Sequence, residues 1–203
     1  MREKNDEDRR VQRTRRLLSE ALFALIIERG YAAITVQDIA ERANIGRATF
    51  YLHYHDKEQL LEDSLLTLMD ELTKYMQQSP TLPSTYDELS VRFFQHIAEQ
   101  HELYRAMLKG GGPPFILASL RKNLVLILQH RVLKPLFERS SQHVDPELLA
   151  MHAAGSLLFL AIWWLDHALT PSAEELGHLF GQLIAPGVDN VLARSAGQAK
   201  THL

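Results

Sequence analysis

Between Thr35 and Lys57 the sequence TVQDIAERANIGRATFYLHYHDK leaves room for two short helices and almost nothing to connect them. Thr35 stands where an N-cap belongs, able to accept a hydrogen bond from the Asp38 backbone N–H, and Val36, Ile39, Ala40 and Ala43 supply the buried stripe of the first helix. Asn44 is one of the few non-glycine residue types that enters the left-handed region cheaply, so it can close that helix while Ile45 plugs the angle between the two. The second helix starts at once, near Gly46. At about 100° per residue, Phe50 and Tyr54 point inward with Ile45, while Ala48 and Leu52 centre the opposite side, flanked by Thr49 and Tyr51 and headed by Arg47.

An outward side that is small, apolar and hydroxyl-bearing is unusual on a soluble helix. A major-groove floor offers thymine methyls, base-edge acceptors and flanking phosphates to those side-chain types. Periodicity alone leaves a second reading open, a short core helix in an ordinary helical bundle.

The ordered positions from Thr14 to about Leu61 resemble the N-terminal DNA-binding domain of the TetR family of one-component bacterial regulators. The resemblance rests on Gly30 and Tyr31, on Thr35, Asp38, Ile39 and Ala40, on Arg47, Thr49, Phe50 and Tyr51, and on His53, Tyr54, Lys57 and Leu61. Where the family usually has Gly-Val-Ser, this chain has Asn44, Ile45 and Gly46. Gly for Ser at a cap costs only a few tenths of a kcal/mol, but one side-chain hydrogen bond to DNA is lost, leaving the bare Gly46 N–H to meet a phosphate. The resemblance implies DNA contacts from Arg13, Thr35, Gln37, Gly46, Arg47, Ala48, Thr49, Tyr51, Leu52, His53 and Lys57.

The net charge of −3 conceals a division. Residues 1–57 carry 11 Lys/Arg against 9 Asp/Glu, whereas residues 58–203 carry 11 against 16. Arg9, Arg10, Arg13, Arg15 and Arg16 crowd just ahead of the first apolar stripe, so an arm that reaches phosphates or an adjacent minor groove is expected beside a helix-turn-helix. With no cysteine, disulfides and thiolate zinc sites are excluded. The longest apolar run, Leu157 to Leu165, is far short of the roughly 20 residues that span a bilayer, and the N-terminus is charged rather than signal-like, so a cytoplasmic location and no membrane partner are expected.

Further along, helices are predicted from about Thr14 to Arg29, Asp56 to Gln78, Tyr86 to Gln100, Leu103 to Leu108, Pro114 to Arg139, Pro146 to Ala168 and Ser172 to Arg194, the last with a kink or early end at Pro186-Gly187. SPTLPS at 79–84 and GGGPP at 110–114 break the pattern, and nothing reads as a strand. The predicted fold is all-α: a three-helix helix-turn-helix domain with a basic arm over 1–57, and a larger helical effector-binding and dimerisation domain over 58–203, about nine helices in all.

The helix from Pro146 is apolar nearly all round, which calls for burial on more than one side. The resemblance implies a four-helix dimer interface from the last two long helices, with Leu157, Trp163, Trp164, Leu176, Phe180 and Leu183 in it. A dimer in turn implies an inverted-repeat site on double-stranded DNA, its half-sites about 34 to 36 Å apart. The resemblance also implies a pocket for a small apolar or amphipathic effector, for which Phe93, Ile97, His101, Tyr104, Met107, Phe115, Leu120 and Phe159 are the nominated lining.

The function expected from all this is a ligand-responsive transcriptional repressor, released from DNA by a small molecule. The alternative keeps the fold and makes the acidic second half a protein-docking module of a co-activator. An enzyme is not expected, since there is no G-x-S-x-G, no Walker A loop and no helix-borne metal set, and no cofactor is expected either. Ten histidines form no HExxH motif or close His-x3-His pair, so no metal site is expected.

Overall fold

In the computed structural model, helix α1 covers Arg2–Arg29, well ahead of the predicted start at Thr14. The cause is local. The added turns are rich in Arg, Glu, Lys and Gln, which lose little rotamer freedom in a helix, and no Gly or Pro interrupts the chain before Gly30. The structure describes residues 2–77, 86–109, 113, 115–134 and 145–198. The breaker at 79–84 and the end of the helix predicted to reach Arg139 lie outside the described residues, as do Gly110, Gly111, Gly112 and Pro114 of the second breaker.

A 3-10 turn at Tyr31–Ala33 leads to α2 (Val36–Arg42) and α3 (Arg47–His53). Next come α4 (Lys57–Gln77), α5 (Tyr86–Glu99) and α6 (His101–Lys109). Helix α7 (Phe115–Ile127) passes into a π-helical turn, Leu128–Leu133, and the described chain ends with α8 (Pro146–Asp166) and α9 (Ala173–Gln198). No strand occurs among the described residues, so the protein is all-α.

Of the described residues, those up to Leu68 together with those from Glu102 to Leu117 form one compact unit, and the remainder form a second. The first unit thus takes in the N-terminal turns of α4. The core of the first unit joins Leu18, Leu22 and Ile26 of α1 to Ile39 of α2, Phe50 of α3 and Leu60, Leu61 and Leu65 of α4, all essentially without solvent contact. Removing a side chain the size of Phe50 from water contributes about 2 to 3 kcal/mol. Leu103, Tyr104 and Met107 of α6 are buried as well.

In the second unit α9 lies on α5 at unusually short range. A Cβ on Gly177 would stand 2.4 Å from the Val91 Cα, and one on Gly181 would stand 2.7 Å from the Asp87 Cα. The two glycines, four residues apart on one face, are what allows the backbones to approach. Phe94 fills the centre, edge-on to Trp164 at 5.6 Å and to Phe180 at 6.5 Å. Helix α9 does not end at Pro186 as one prediction had it. Buried Phe180 before the proline and buried Val188 after it hold the helix through the lost hydrogen bond.

Helix α8 has the length and mean hydropathy, 1.8, to cross a bilayer, which the nine-residue run Leu157–Leu165 did not foretell. In the fold it buries Ala150, Ala154, Leu157, Ala161 and Trp164, and leaves Leu148, Met151, Phe159 and Trp163 exposed. Asp145 caps it, accepting from the Glu147 N–H at 2.9 Å.

Candidate nucleic-acid interface

The turn between α2 and α3 forms as its residue types dictate. Asn44 has φ 54°, in the left-handed region, and the Ile45 N–H donates to the Ala40 carbonyl at 2.9 Å, closing α2. At the other end of α2, Thr35 and Asp38 cap reciprocally. The Asp38 N–H donates to the Thr35 hydroxyl at 3.2 Å, and the Thr35 N–H donates to the Asp38 carboxylate at 2.8 Å. Those bonds from Thr35, with the Arg29 guanidinium 3.0 Å away, hold the Asp38 carboxyl below the usual carboxylate range. Arg42 and Glu28 make a second tie between α1 and α2.

Two of the nominated DNA contacts are committed elsewhere. The Thr35 hydroxyl donates its only proton to Asp38 at 2.5 Å, so it has none for a phosphate oxygen. The Lys57 ammonium donates to the carbonyl oxygens of Ile34 at 2.7 Å and Tyr31 at 3.2 Å, and lies 4.4 Å from the centre of the Tyr31 ring. Lys57 is thus a clasp from the first turn of α4 to the chain entering α2. Burial, and then the nearby Glu58 carboxylate, raises the Tyr31 phenol, whose oxygen has no partner at bonding distance. Sequence inspection missed the clasp because its partners lie 23 and 26 positions away.

Most of the other nominated residues lie on α3. Gly46 is the uncapped N-terminus of α3, and Arg47, Ala48, Tyr51 and Leu52 are exposed, Leu52 by 81%. Thr49 and His53 are half-buried at the flanks. Two residues, about half a turn of helix, therefore separate an outward Leu52 from Phe50, which is 0% exposed. The Arg47 guanidinium reaches toward the Tyr51 hydroxyl at 3.4 Å and lies 5.7 Å from its ring centre, so the pair is pre-arranged as one donor-rich corner. Gln37 is exposed on α2, its amide donating to Glu41 at 2.6 Å. Tyr54 is buried behind α3, donating to Asp63 at 2.6 Å, and burial followed by that carboxylate raises its pKa.

Within the arginine cluster, roles separate. Arg15 stands 5.8 Å from the Tyr54 ring centre and Arg16 3.8 Å from Glu20. Arg9, Arg10 and Arg13 are exposed on the helical extension of α1. The basic arm is therefore helical where these three arginines stand.

The nominated effector residues fall in both units. Tyr104, Met107 and Phe115 belong to the first unit; Phe93, Ile97 and Leu120 are core of the second; His101 is half-buried with Nδ1 2.9 Å from the Ala98 carbonyl; Phe159 is 71% exposed. A cavity of about 40 Å³ does occur in the second unit, and none of the eight lines it. Aromatic side chains at helical spacing packed on each other instead, as Phe93 and Phe94 do at 5.2 Å. The nominated dimer residues divide similarly. Leu157, Leu176, Phe180 and Trp164 are buried within their own chain, the Trp164 indole donating to the Pro171 carbonyl at 2.6 Å, while Trp163 and Leu183 are exposed. No group of three or more His, Asp or Glu able to hold a metal ion occurs among the described residues.

Comparison with known proteins agrees with this geometry. Residues 18–63 match the profile of the bacterial regulatory proteins of the tetR family, the span from buried Leu18 through the clasp at Lys57. The chain is 27% identical over 185 residues to the HTH-type transcriptional regulator YxbF of Bacillus subtilis, in an alignment covering 87% of this chain and 46% of that protein. The chain thus spans about half the length of that relative. It is 29% identical to the HTH-type transcriptional repressor KstR2 of Mycolicibacterium smegmatis, covering 84% of this chain and 87% of that one. Among solved structures, a TetR transcriptional regulator from Streptococcus agalactiae superposes with a TM-score of 0.62 at 29% identity, over 88% of this chain and 97% of the other. Residues 18–63 thus carry the helix-turn-helix of the bacterial regulatory proteins of the tetR family, and the chain is similar to transcriptional regulators of that family along most of its length.

Proposed function

We propose that this regulator is a repressor that binds an inverted-repeat operator as a homodimer in the cytoplasm and leaves it when a small apolar molecule binds the second unit. The observation that carries the reading is the outward display of Arg47, Ala48, Tyr51 and Leu52 on a helix whose other side is fully buried. Arg47 and Tyr51 suit base-edge acceptors and phosphates; Ala48 and Leu52 suit thymine methyls. The name of the relative KstR2 supports repression rather than activation.

Dimerisation is supported by the exposed apolar residues of the last two helices. Leu148, Met151, Phe159 and Trp163 on α8, with Leu179 and Leu183 on α9, leave large side chains in water that a second copy would cover. The interface proposed here therefore centres on Phe159 and Leu183 rather than on Trp164. Arg9, Arg10 and Arg13 supply sequence-independent attraction to phosphates.

The test is a pair of substitutions read against selected operator DNA. Leu52→Ala should relax preference at one base position by roughly 1 kcal/mol or more while leaving binding to random DNA unchanged. Arg47→Ala should weaken selected DNA and lower the salt dependence if its guanidinium meets a phosphate. Regulation and sequence preference that survive both changes would remove α3 as the reading element.

A further inference from the structure

Charge in the later part of the chain is unevenly placed. Residues 103–137 contain six Lys/Arg and no Asp or Glu, although residues 58–203 as a whole carry 11 against 16. Helix α7 and its π turn lie in that basic stretch. Their outward row at four-residue spacing is Lys122, Leu126 and His130, all exposed, Leu126 by 42%. A π turn pairs i→i+5, so each residue in it advances less around the axis, and His130 stays on the side of Leu126. Helix α4 carries the same row in opposite sign. Glu62, Leu66 and Asp70, again four residues apart, are exposed, Leu66 by 56%. Rows of that spacing are the ridges by which helices most often pack. Base–Leu–base and acid–Leu–acid therefore match in charge, in step length and in their apolar centre.

Each leucine is left uncovered by its own chain. Asp70 is paired with Lys74 at 2.7 Å, but both side chains are largely exposed, and such a pair exchanges at little cost. Lys74, next in the row, sets the direction. With Leu66 beside Leu126, a parallel arrangement would bring Lys74 to Lys134, like charge against like. The antiparallel one brings Lys74 to Ala118, Asp70 to Lys122, Glu62 to His130 and Glu58 to Lys134. A row of phosphates would suit the basic side chains but leave Leu126 without an apolar partner, and a lipid surface calls for a broader apolar face than one leucine. We propose that α4 of one copy of this chain docks antiparallel on α7 of another, a contact that uses none of the exposed residues of α8 and α9. One helix crossing is a small interface, so the contact is weak and reversible in free solution. It takes effect where copies are held close together, as on neighbouring DNA sites.

The experiment is sedimentation velocity on the purified full-length protein over a concentration series at low and high salt, with three charge-reversed chains. Glu62→Lys with Asp70→Lys reverses the α4 row, Lys122→Glu with His130→Glu reverses the α7 row, and the third chain carries all four changes. Wild type should show a concentration-dependent step beyond the species present at the lowest concentration, at least tenfold weaker at high salt. Each half-reversed chain should associate at least tenfold more weakly than wild type. The fully reversed chain should return to within about threefold of wild type, and so should an equimolar mixture of the two half-reversed chains, a recovery that impaired folding or altered net charge would not produce. Phe159→Glu with Leu183→Glu, which alters the α8 and α9 face alone, should leave the step in place, so failure of the proposed homodimer and failure of this contact are read separately. Absence of a salt-sensitive step in wild type, half-reversed chains that associate as wild type does, a fully reversed chain that does not recover, or loss of the step on changing Phe159 and Leu183 would each overturn the proposal. Binding to phosphatidylglycerol vesicles that the α7 reversal abolishes, without self-association, would overturn it too and give the basic row to a lipid surface.

Discussion

Lys57 shows how a single side chain can hold a structural role that its type and position do not announce. A lysine at the start of α4, beside a DNA-reading helix, looks like a phosphate contact, yet its ammonium is bonded to two backbone carbonyls. Charge-assisted bonds of that kind are worth about 1.5 to 3 kcal/mol each. Lys57→Met should therefore lower the unfolding free energy by about 2 kcal/mol in urea titrations, while the slope of log K for DNA against log salt stays as in wild type. A phosphate contact would instead reduce that slope by about 0.9 for each protomer. Gly46 offers the converse. A Cβ there would meet only the Thr49 hydroxyl oxygen, at 3.7 Å, so Gly46→Ser fits. It should add a few tenths of a kcal/mol through the α3 cap and tighten DNA binding through one new hydroxyl donor, read by thermal melting and by anisotropy. Asp38 gives a pH signature. Its folded pKa lies below the unfolded value of about 3.8, so its contribution is complete above that value and is lost as pH falls through the lower, folded pKa. The gap in urea midpoint between wild type and Asp38→Ala should accordingly be widest near pH 6 and narrow steadily below pH 3.8.

At the scale of elements, the α5–α9 contact depends on two missing Cβ atoms. Gly181→Ala would place a methyl against Asp87 and Gly177→Ala one against the Val91 backbone, which cannot rotate away. Each should destabilise by about 1 to 3 kcal/mol in chemical denaturation. Gly187→Ala, on the same helix with nothing within 4 Å, should be neutral or stabilise by up to about 1 kcal/mol. Which elements were legible in the sequence follows the range of the interactions that set them. The Thr35 and Asp56 caps and the left-handed Asn44 obey rules spanning three or four residues, and all three are found, Asp56 accepting from the Gln59 N–H at 2.7 Å. The π turn and the Gly177–Gly181 approach were not legible, since neither shows a local signature until a partner helix is placed beside it. The helical arm before Thr14 was missed for a different reason: a charge run was read for its charge and not for its helix propensity.

At the scale of the whole molecule, α8 has no polar marker between Leu157 and Leu165 to say which side faces inward. Its apolar character announced burial on more than one side, but only the fold separates Trp164, 1% exposed, from Phe159, 71% exposed. Phe159→Glu with Leu183→Glu should convert the proposed homodimer to monomer in sedimentation velocity while leaving the helical content unchanged, because both side chains lie outside the chain's own core. The monomer should keep weak, salt-sensitive binding to any DNA and lose operator binding, because one reading helix covers one half-site. Selection of genomic fragments by the purified protein, followed by footprinting, addresses the central claim most directly. Two protected half-sites in inverted orientation, their centres about 34 to 36 Å apart along the duplex, with preference abolished by Arg47→Ala and Leu52→Ala together, are the predicted outcome. Selection that enriches no common sequence, or a preference that survives the loss of both side chains, would contradict the account.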